Sequence, residues 1–316
     1  MNARRIHNRV CCGLMVLVLC GLPARAAIPL GIRACWEFEE GSGAIAHDTS
    51  GNGFDGAFYS SPAWVPGIQG EALEFLGHDM VWQIPSSFDD TVTDGFTIAG
   101  WIFWYGSTPG AVQYALFDAA GGAWSRGFYL YLREDGHVRF SVLRNSGMSQ
   151  GIDSATTLTP NEWSHVAATF DFASGGGAIH VFVNGEEDPA SPVPASEAYH
   201  NDWDSPAIGN NHWAPGDGSW KPLNGCIDNV YFYDRVLGPE EVSELYRASG
   251  PRPVGDLNCD GAVNFGDINP FTLALTNWGA YVQQYPECDI DLADINGDGY
   301  VDFGDINPFV ALFMGE

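Results

Sequence analysis

Two stretches near the C-terminus carry oxygen donors at one fixed spacing. Asp256, Asn258, Asp260, Asn264 and Asp267 stand at positions 1, 3, 5, 9 and 12 of DLNCDGAVNFGD. Asp294, Asn296, Asp298, Asp302 and Asp305 stand at the same positions of DINGDGYVDFGD. Alternate loop positions can converge on a single hard cation, and calcium takes about six to eight oxygen ligands. Ala262 and Tyr300 would each add a main-chain carbonyl, the ninth residue would act directly or through water, and Gly261 and Gly299 would allow the sharp turn at position 6. Asp, Asn and Gly also favour turns without metal. Two loops in register over all six positions, 38 residues apart, point instead to a paired calcium site.

The repeat runs on through VNFGDINPF and VDFGDINPF, so the segment is a duplication. Its loops follow the EF-hand pattern, with two departures. Position 12 is Asp in both, where a bidentate Glu is usual, and each loop is followed but not clearly preceded by a helix candidate. On both points residues 256–316 resemble type I dockerin modules, small calcium-folded duplications that plug into cohesin domains of extracellular assemblies. The resemblance implies calcium as cofactor and a cohesin-type protein as partner. Cellulosomal dockerins often carry a Ser/Thr pair at loop positions 10 and 11. Here those positions hold Phe265–Gly266 and Phe303–Gly304, so no particular cohesin is implied.

At the other end, Arg4, Arg5 and Arg9 precede an apolar run from Cys11 to Leu22, followed by Ala24-Arg25-Ala26. A basic start, a short apolar core and small residues at the cut describe a secretory signal peptide over residues 1–26. The run is too short to span a bilayer, and no other stretch is apolar enough, so the mature chain is expected to be secreted, extracellular or at the cell surface, without membrane insertion. Export leaves Cys35, Cys226, Cys259 and Cys288, an even set in an oxidising compartment. Three pairings are open. The favoured one staples the two loops through Cys259–Cys288 and joins the ends of the larger domain through Cys35–Cys226.

The chain carries 13 basic and 40 acidic residues. Loss of Arg4, Arg5, Arg9 and Arg25 leaves 9 against 40, a net −31. Nucleic acid is therefore excluded as a partner, since phosphate binding needs a basic patch. Between Asp256 and Glu316 lie 11 acidic residues and no Lys or Arg, so a metal-free module repels itself and its folding should be coupled to metal.

The elements that would present these loops come earlier. Residues 31–249 form the larger domain, joined by the linker 250–255 to the module at 256–316. Alternating or apolar runs bounded by Gly, Asn, Asp and Pro predict strands near Arg33–Phe38, Ala72–Phe75, Met80–Ile84, Phe96–Trp104, Tyr114–Phe117, Phe128–Arg133, His137–Leu143, His165–Phe172, Ile179–Val183 and Ile227–Tyr233. One helix is expected, Pro239 to Ala248, with Pro at its first position, Glu240 and Glu241 at its positive end, and Val242, Leu245 and Tyr246 as an apolar stripe. The fold class is mainly β, a sandwich with a small helical module behind it.

The phrases ACWEFEEGSG, DTSGNGFDGAF, GIQGEALEFLGHD, FTIAGWIFW, TLTPNEWSHVAATFD, IHVFVNGEE, AIGNN and GCIDNVYFYDRVLGPEEVSELY follow one another in the order of a LamG-like, concanavalin A-type (pentraxin-type) jelly roll. The larger domain resembles that family, which implies glycan or protein binding far more often than catalysis. Its first and last strands lie close together, which supports Cys35–Cys226. In related folds an acidic residue of the DxSGN turn and one of the late ID-x-V strand help hold a structural ion. The matching residues are Asp48, with Asn52 nearby, and Asp228; Glu39 and Glu40 could serve the same site.

For ligand binding, Tyr199, Trp203, Trp213 and Trp220 sit among Asn, Asp, Gly and Pro, where flat rings suit sugar stacking. The aromatics of Phe96–Trp104 and Phe128–Tyr131 are expected in the core, and His165 is expected to be structural. A glycoside hydrolase needs two carboxylates about 5–10 Å apart across a cleft. The acids of Glu37-Phe38-Glu39-Glu40 end a strand, while Asp89–Asp90 and Glu186–Glu187 fall in turns, and no GxSxG, HExxH or phosphate loop occurs. The reading is an exported, non-catalytic, calcium-binding protein with a carbohydrate-binding or adhesive sandwich. Its rivals are a polysaccharide-degrading hydrolase component and a structural protein with a calcium-stabilised tail.

Overall fold

Among the described residues eighteen strands build the larger unit: β1 Ile32–Trp36, β2 Ile45–Ala46, β3 Gly56–Tyr59, β4 Ala63–Pro66, β5 Glu71–Phe75, β6 Met80–Trp82, β7 Gly95–Trp104, β8 Gln113–Asp118, β9 Phe128–Arg133, β10 His137–Leu143, β11 Ser149–Thr157, β12 Trp163–Asp171, β13 Ala178–Val183, β14 Glu186–Glu187, β15 Val193–Pro194, β16 Ala207–Ile208, β17 Trp220–Pro222 and β18 Gly225–Tyr233. They come from a computed structural model that describes residues 28–88, 95–108, 113–119, 127–143, 149–172, 177–195, 206–210, 220–286 and 288–314. The signal-peptide stretch, Trp203 and Trp213 lie outside the described residues. The chain divides into two units, Ile28–Gly250 and Pro251–Glu316.

The strands form two sheets facing each other. In the first the order is β14-β13-β12-β7-β18-β5-β4, with β1 also on β18 and β15 on β13. The second runs β11-β10-β9-β8-β16-β6-β3-β2, with β17 on β8. Alternation decides which side chains meet between them. On β7 the inward residues are Phe96, Ile98, Ile102 and Trp104; on β9 they are Phe128, Leu130 and Leu132; on β10, Val138, Phe140 and Val142. Phe117, Phe128 and Phe232 stack nearly parallel at the centre, with centroids 5.5 Å and 6.2 Å apart in successive pairs. Burying each such ring contributes roughly 1.5–3 kcal/mol.

β18 changes parity along its length. Ile227 points inward, but so do Val230 and Phe232, because the pairing with β7 slips between Asp228 and Tyr231. Asn229 supplies the bulge from a left-handed backbone (φ 50°), a conformation that asparagine adopts at little cost. The bulge leaves Asp228, Tyr231 and Tyr233 all on the outer face. Part of that face is covered by α1, Pro239–Ser249, whose Val242 and Leu245 are buried against Ala99, Tyr231 and Tyr233. Glu241 fixes the start of α1 by accepting from the Gly238 N–H (3.0 Å) and pairing with Arg235 (2.7 Å).

The C-terminal unit contains α2 (Ile268–Thr276), α3 (Trp278–Gln284) and α4 (Ile306–Met314). Its core is small: Leu257, Phe271, Ala274, Tyr281, Ala293 and Phe309. Phe271 and Phe309 are the same residue of the repeat and stack on each other with centroids 3.9 Å apart. Phe265, just before α2, stacks on Phe313 near the end of α4, so the two helices run antiparallel. Cys259 and Cys288 form a disulfide.

Cys35 and Cys226 do not pair; both are free and buried. The resemblance rightly places β1 beside β18, but the register separates the thiols. Cys35 stands opposite Tyr231, and Cys226 sits five residues earlier on the same strand. At about 3.4 Å per residue that is roughly 17 Å, far beyond disulfide reach.

Candidate functional site

Each acidic loop of the C-terminal unit closes on itself through its own carboxylates. The first Asp of the first loop, Asp256, accepts from the main-chain N–H groups of Asp260 (3.1 Å) and Gly261 (2.9 Å). Asp294 does the same with Asp298 (3.1 Å) and Gly299 (2.8 Å). The last Asp returns across the loop: Asp267 accepts from Asn258 (3.0 Å) and Asn264 (2.8 Å), and Asp305 from Asn296 (3.0 Å) and Asp302 (2.9 Å). Asn258 and Asn296 accept from the N–H of Asp260 and Asp298. Asn264 and Asp302 cap the turns that lead into α2 and α4, accepting from Gly266 and Gly304. Tyr300 donates its N–H to Asp298, and Ala262 donates its own to Asp260. The repeat seen in the letters is thus a repeat in hydrogen bonds.

Position 4 separates the loops. It takes a left-handed backbone in both, and the second loop meets that need with Gly297 (φ 70°), the first with Cys259 (φ 55°), half of the disulfide.

Asp256, Asp267 and Asp305 are fully buried. Burial raises the Asp256 carboxyl to about 6, opposed by the Gly261 and Asp260 N–H bonds and aided by the Asp267 and Asp260 charges. The Asp267 carboxyl is also pushed up, chiefly by burial. Anions crowded this way, with no Lys or Arg between Asp256 and Glu316, are the donor chemistry of a hard cation. Among the described residues no three His, Cys, Asp or Glu side chains are grouped to hold a metal by themselves. The two loops would have to complete their sets with Asn258, Asn296 and the carbonyls of Ala262 and Tyr300.

On the sandwich, the residues expected to hold a third ion serve turns. Asp48 accepts from the N–H groups of Cys35, Ser50 and Phe54, each at 3.0 Å. Asn52 turns its amide nitrogen to the carbonyls of Ile32 and Arg33. Glu40 accepts from the His47 N–H (2.7 Å). Asp228 is buried on β18, and one oxygen accepts from Ile68 (2.9 Å). Its other oxygen has no partner, and burial raises its carboxyl to about 8. Glu39 joins it at the Gly67–Gly70 turn by accepting from the Glu71 N–H. Both glycines suit that turn: a Cβ on Gly67 would stand 2.4 Å from Asp228 Oδ2 and 2.6 Å from the Glu71 carbonyl oxygen, and Gly70 takes a left-handed backbone (φ 61°).

Of the tryptophans expected to bind ligand, Trp220 opens β17, which runs parallel to β8. The aromatics assigned to the core divide by parity. Phe96, Trp104 and Phe128 face inward, whereas Tyr129 and Tyr131 form a separate small cluster with Ala115 on the outer face of the second sheet. Phe103 of β7 also points outward, beside Trp163 of β12 and Tyr105. His165 is fully buried, as a structural residue should be.

Residues 77–243 match the family model of the concanavalin A-like lectin/glucanases superfamily, a laminin G-type domain. No curated protein matches the chain in sequence. Among solved structures, the binding domain of botulinum neurotoxin DC in complex with rat synaptotagmin II aligns with a TM-score of 0.54 at 13% identity, over 73% of this chain and 54% of that one. The botulinum neurotoxin type C structure, whose cell entry depends on interaction with two ganglioside molecules, aligns at 0.52 and 13%, over 71% and 52%. Trypanosoma rangeli sialidase in complex with the inhibitor DANA aligns at 0.51 and 16%, over 70% and 33%. The chain thus spans about half the length of the neurotoxin structures and a third of the sialidase. At these identities the likeness is one of fold.

Proposed function

Since the chain belongs to the concanavalin A-like lectin/glucanases superfamily, we propose that it is an exported, non-catalytic glycan-binding or adhesive protein, tethered through a dockerin-like calcium module. The observation that carries this reading is the join itself. One chain couples a lectin-type sandwich to a duplicated loop unit whose two halves repeat the same carboxylate hydrogen bonds. Calcium held by Asp256, Asn258, Asp260, Ala262, Asn264 and Asp267, and by their counterparts from Asp294 to Asp305, would supply the positive charge this unit lacks. A cohesin-type protein is the partner that the module would engage. The intramolecular disulfide fits an oxidising compartment, and no described helix is long and apolar enough to cross a membrane.

On the sandwich side, support comes from the superfamily and from neighbours whose described ligands include gangliosides. A hydrolase remains the rival, kept in view by the superfamily and the sialidase neighbour. A glycan array probed with the mature chain in calcium and then in EGTA tests the reading, alongside an assay for reducing-sugar release. Glycan binding without sugar release supports it. Sugar release from any array polysaccharide would replace it with the hydrolase.

A further inference from the structure

The outer face of the first sheet has two parts. One row, Trp101 of β7 with His165 of β12, lies under α1, where Trp101 stacks on Tyr246 with centroids 5.3 Å apart. The next row toward the end of β7 is left open. Register places Trp163, Phe103, Cys226, Glu74 and Ala63 side by side across β12, β7, β18, β5 and β4. Tyr105, just past the end of β7, reaches back over this row. Its hydroxyl donates to Glu74 Oε1 at 2.6 Å and lies 3.3 Å from the Cys226 sulfur. Phe103 meets Trp163 at 5.5 Å and Tyr105 at 5.7 Å between centroids, edge to face in both pairs. Trp163, Phe103 and Glu74 are partly exposed and Tyr105 is 37% exposed.

Three large rings held in one open row are costly to leave wet. The hydrogen bond from Tyr105 fixes its ring before any ligand arrives, which lowers the ordering cost of binding. Among the described residues the row contains no basic side chain, and the one charge in it is the Glu74 carboxylate, an acceptor. A ligand for it should be apolar on one face, rich in hydroxyl donors and uncharged. We propose that this row is a stacking platform for a neutral saccharide, with Trp163 and Phe103 under sugar rings and Glu74 accepting from a hydroxyl. The inference rests on the glycan reading above and assigns it residues other than the tryptophans expected to bind ligand.

The test uses the full mature chain on an array of neutral gluco-, xylo-, manno- and galacto-oligosaccharides, with Trp163→Ala, Phe103→Ala and, as a control on the other sheet, Trp82→Ala. The expected result is binding by the parent and by Trp82→Ala, and a loss of about tenfold or more in each platform variant. Should truncation disturb folding, Tyr105→Phe and Glu74→Gln keep the shape and should still weaken binding about threefold or more. A parent that binds sugars together with platform variants that bind equally well overturns the platform and leaves the glycan reading standing. A folded parent silent on every sugar overturns both. Platform variants that lose a protein partner while sugar binding is unchanged make the row a protein contact and also overturn it.

Discussion

Asp188 in the sandwich and Asp256 in the C-terminal unit are both buried and both bonded to main-chain N–H groups, yet they end on opposite sides of the ordinary carboxylate range. Burial pushes Asp188 up, but N–H bonds from Ala155 (2.7 Å), Thr156 (2.9 Å) and Ala190 (2.9 Å) win and hold it below the usual value. Asp256 has similar bonds, and burial together with the charges of Asp267 and Asp260 still carries it to about 6. The difference lies in the company each keeps. The sandwich sets one anion among dipoles, over a core of several dozen apolar side chains. The C-terminal unit sets anions among anions over a six-residue core. One unit is stabilised by its apolar interior, while the other lacks a counter-charge.

Calcium removal is the largest way to test that contrast. If the two loops bind calcium as proposed, with each site held at a thousand times its dissociation constant, two ions would contribute about 8 kcal/mol to the folded C-terminal unit. Calorimetry of the full chain should show two transitions, with EGTA abolishing the one that belongs to residues 251–314 and leaving the sandwich in place. An EGTA trace that superimposes on the calcium trace would remove calcium from the account. Phe128→Ala is the converse experiment. It takes away a ring stacked on Phe117 and in contact with Phe96, so the sandwich transition should fall by about 3–5 kcal/mol and calcium affinity should stay unchanged.

The disulfide divides the units again. Cys259 and Cys288 close a 29-residue separation, and the chain-entropy model assigns such a loop about 3–4 kcal/mol. Cys259→Ser with Cys288→Ser should therefore weaken the C-terminal transition alone. Cys35→Ser should leave reductant sensitivity as it was, because Cys35 has no partner to lose. A reductant-dependent shift of the sandwich transition would contradict the register of β1 on β18.

How legible these features were in the sequence follows from what fixes each one. The repeat of the two loops could be read because a duplication aligns its own carboxylates, and the hydrogen bonds of Asp256 and Asp267 recur at Asp294 and Asp305. Strands such as Phe128–Arg133 and His137–Leu143 were legible to the residue because alternation and turn signals agree there. β11 was not, because SQGIDSATT lies at the edge of its sheet and is half polar, with few apolar residues to mark it. The Cys35–Cys226 pairing failed for a different reason. Neighbouring strands can be inferred from a resemblance, but their register cannot: β1 pairs with the Val230–Tyr233 end of β18, five residues past Cys226 at Cys35 itself, and no spacing announces that offset. The open aromatic row failed for want of parity: Phe103 is surrounded in sequence by core residues, and only the fixed face of β7 turns it outward.

His165 offers the smallest and most local test, and it concerns the sandwich alone. Its ring is fully buried between Trp101 (5.3 Å) and Tyr246 (5.8 Å), and neither ring nitrogen has a hydrogen-bond partner. Burial lowers its pKa to about 3. The unfolded chain takes up a proton near pH 6.5, whereas the folded chain does so only near 3. Stability from this residue is therefore fully present above about pH 6.5 and is lost as pH falls toward 3. Summed over that window, the loss is about 4 kcal/mol at the low end. His165→Leu removes the unpaired nitrogens along with the titration, since an apolar group of similar size leaves nothing unsatisfied. It should raise the sandwich transition by about 1–2 kcal/mol at neutral pH and flatten its decline in acid, while the calcium dependence of the C-terminal unit stays as it was. A variant less stable than the parent at pH 7 would mean that the imidazole makes a contact worth more than its burial costs, and His165 would then have to be reassigned from filler to partner.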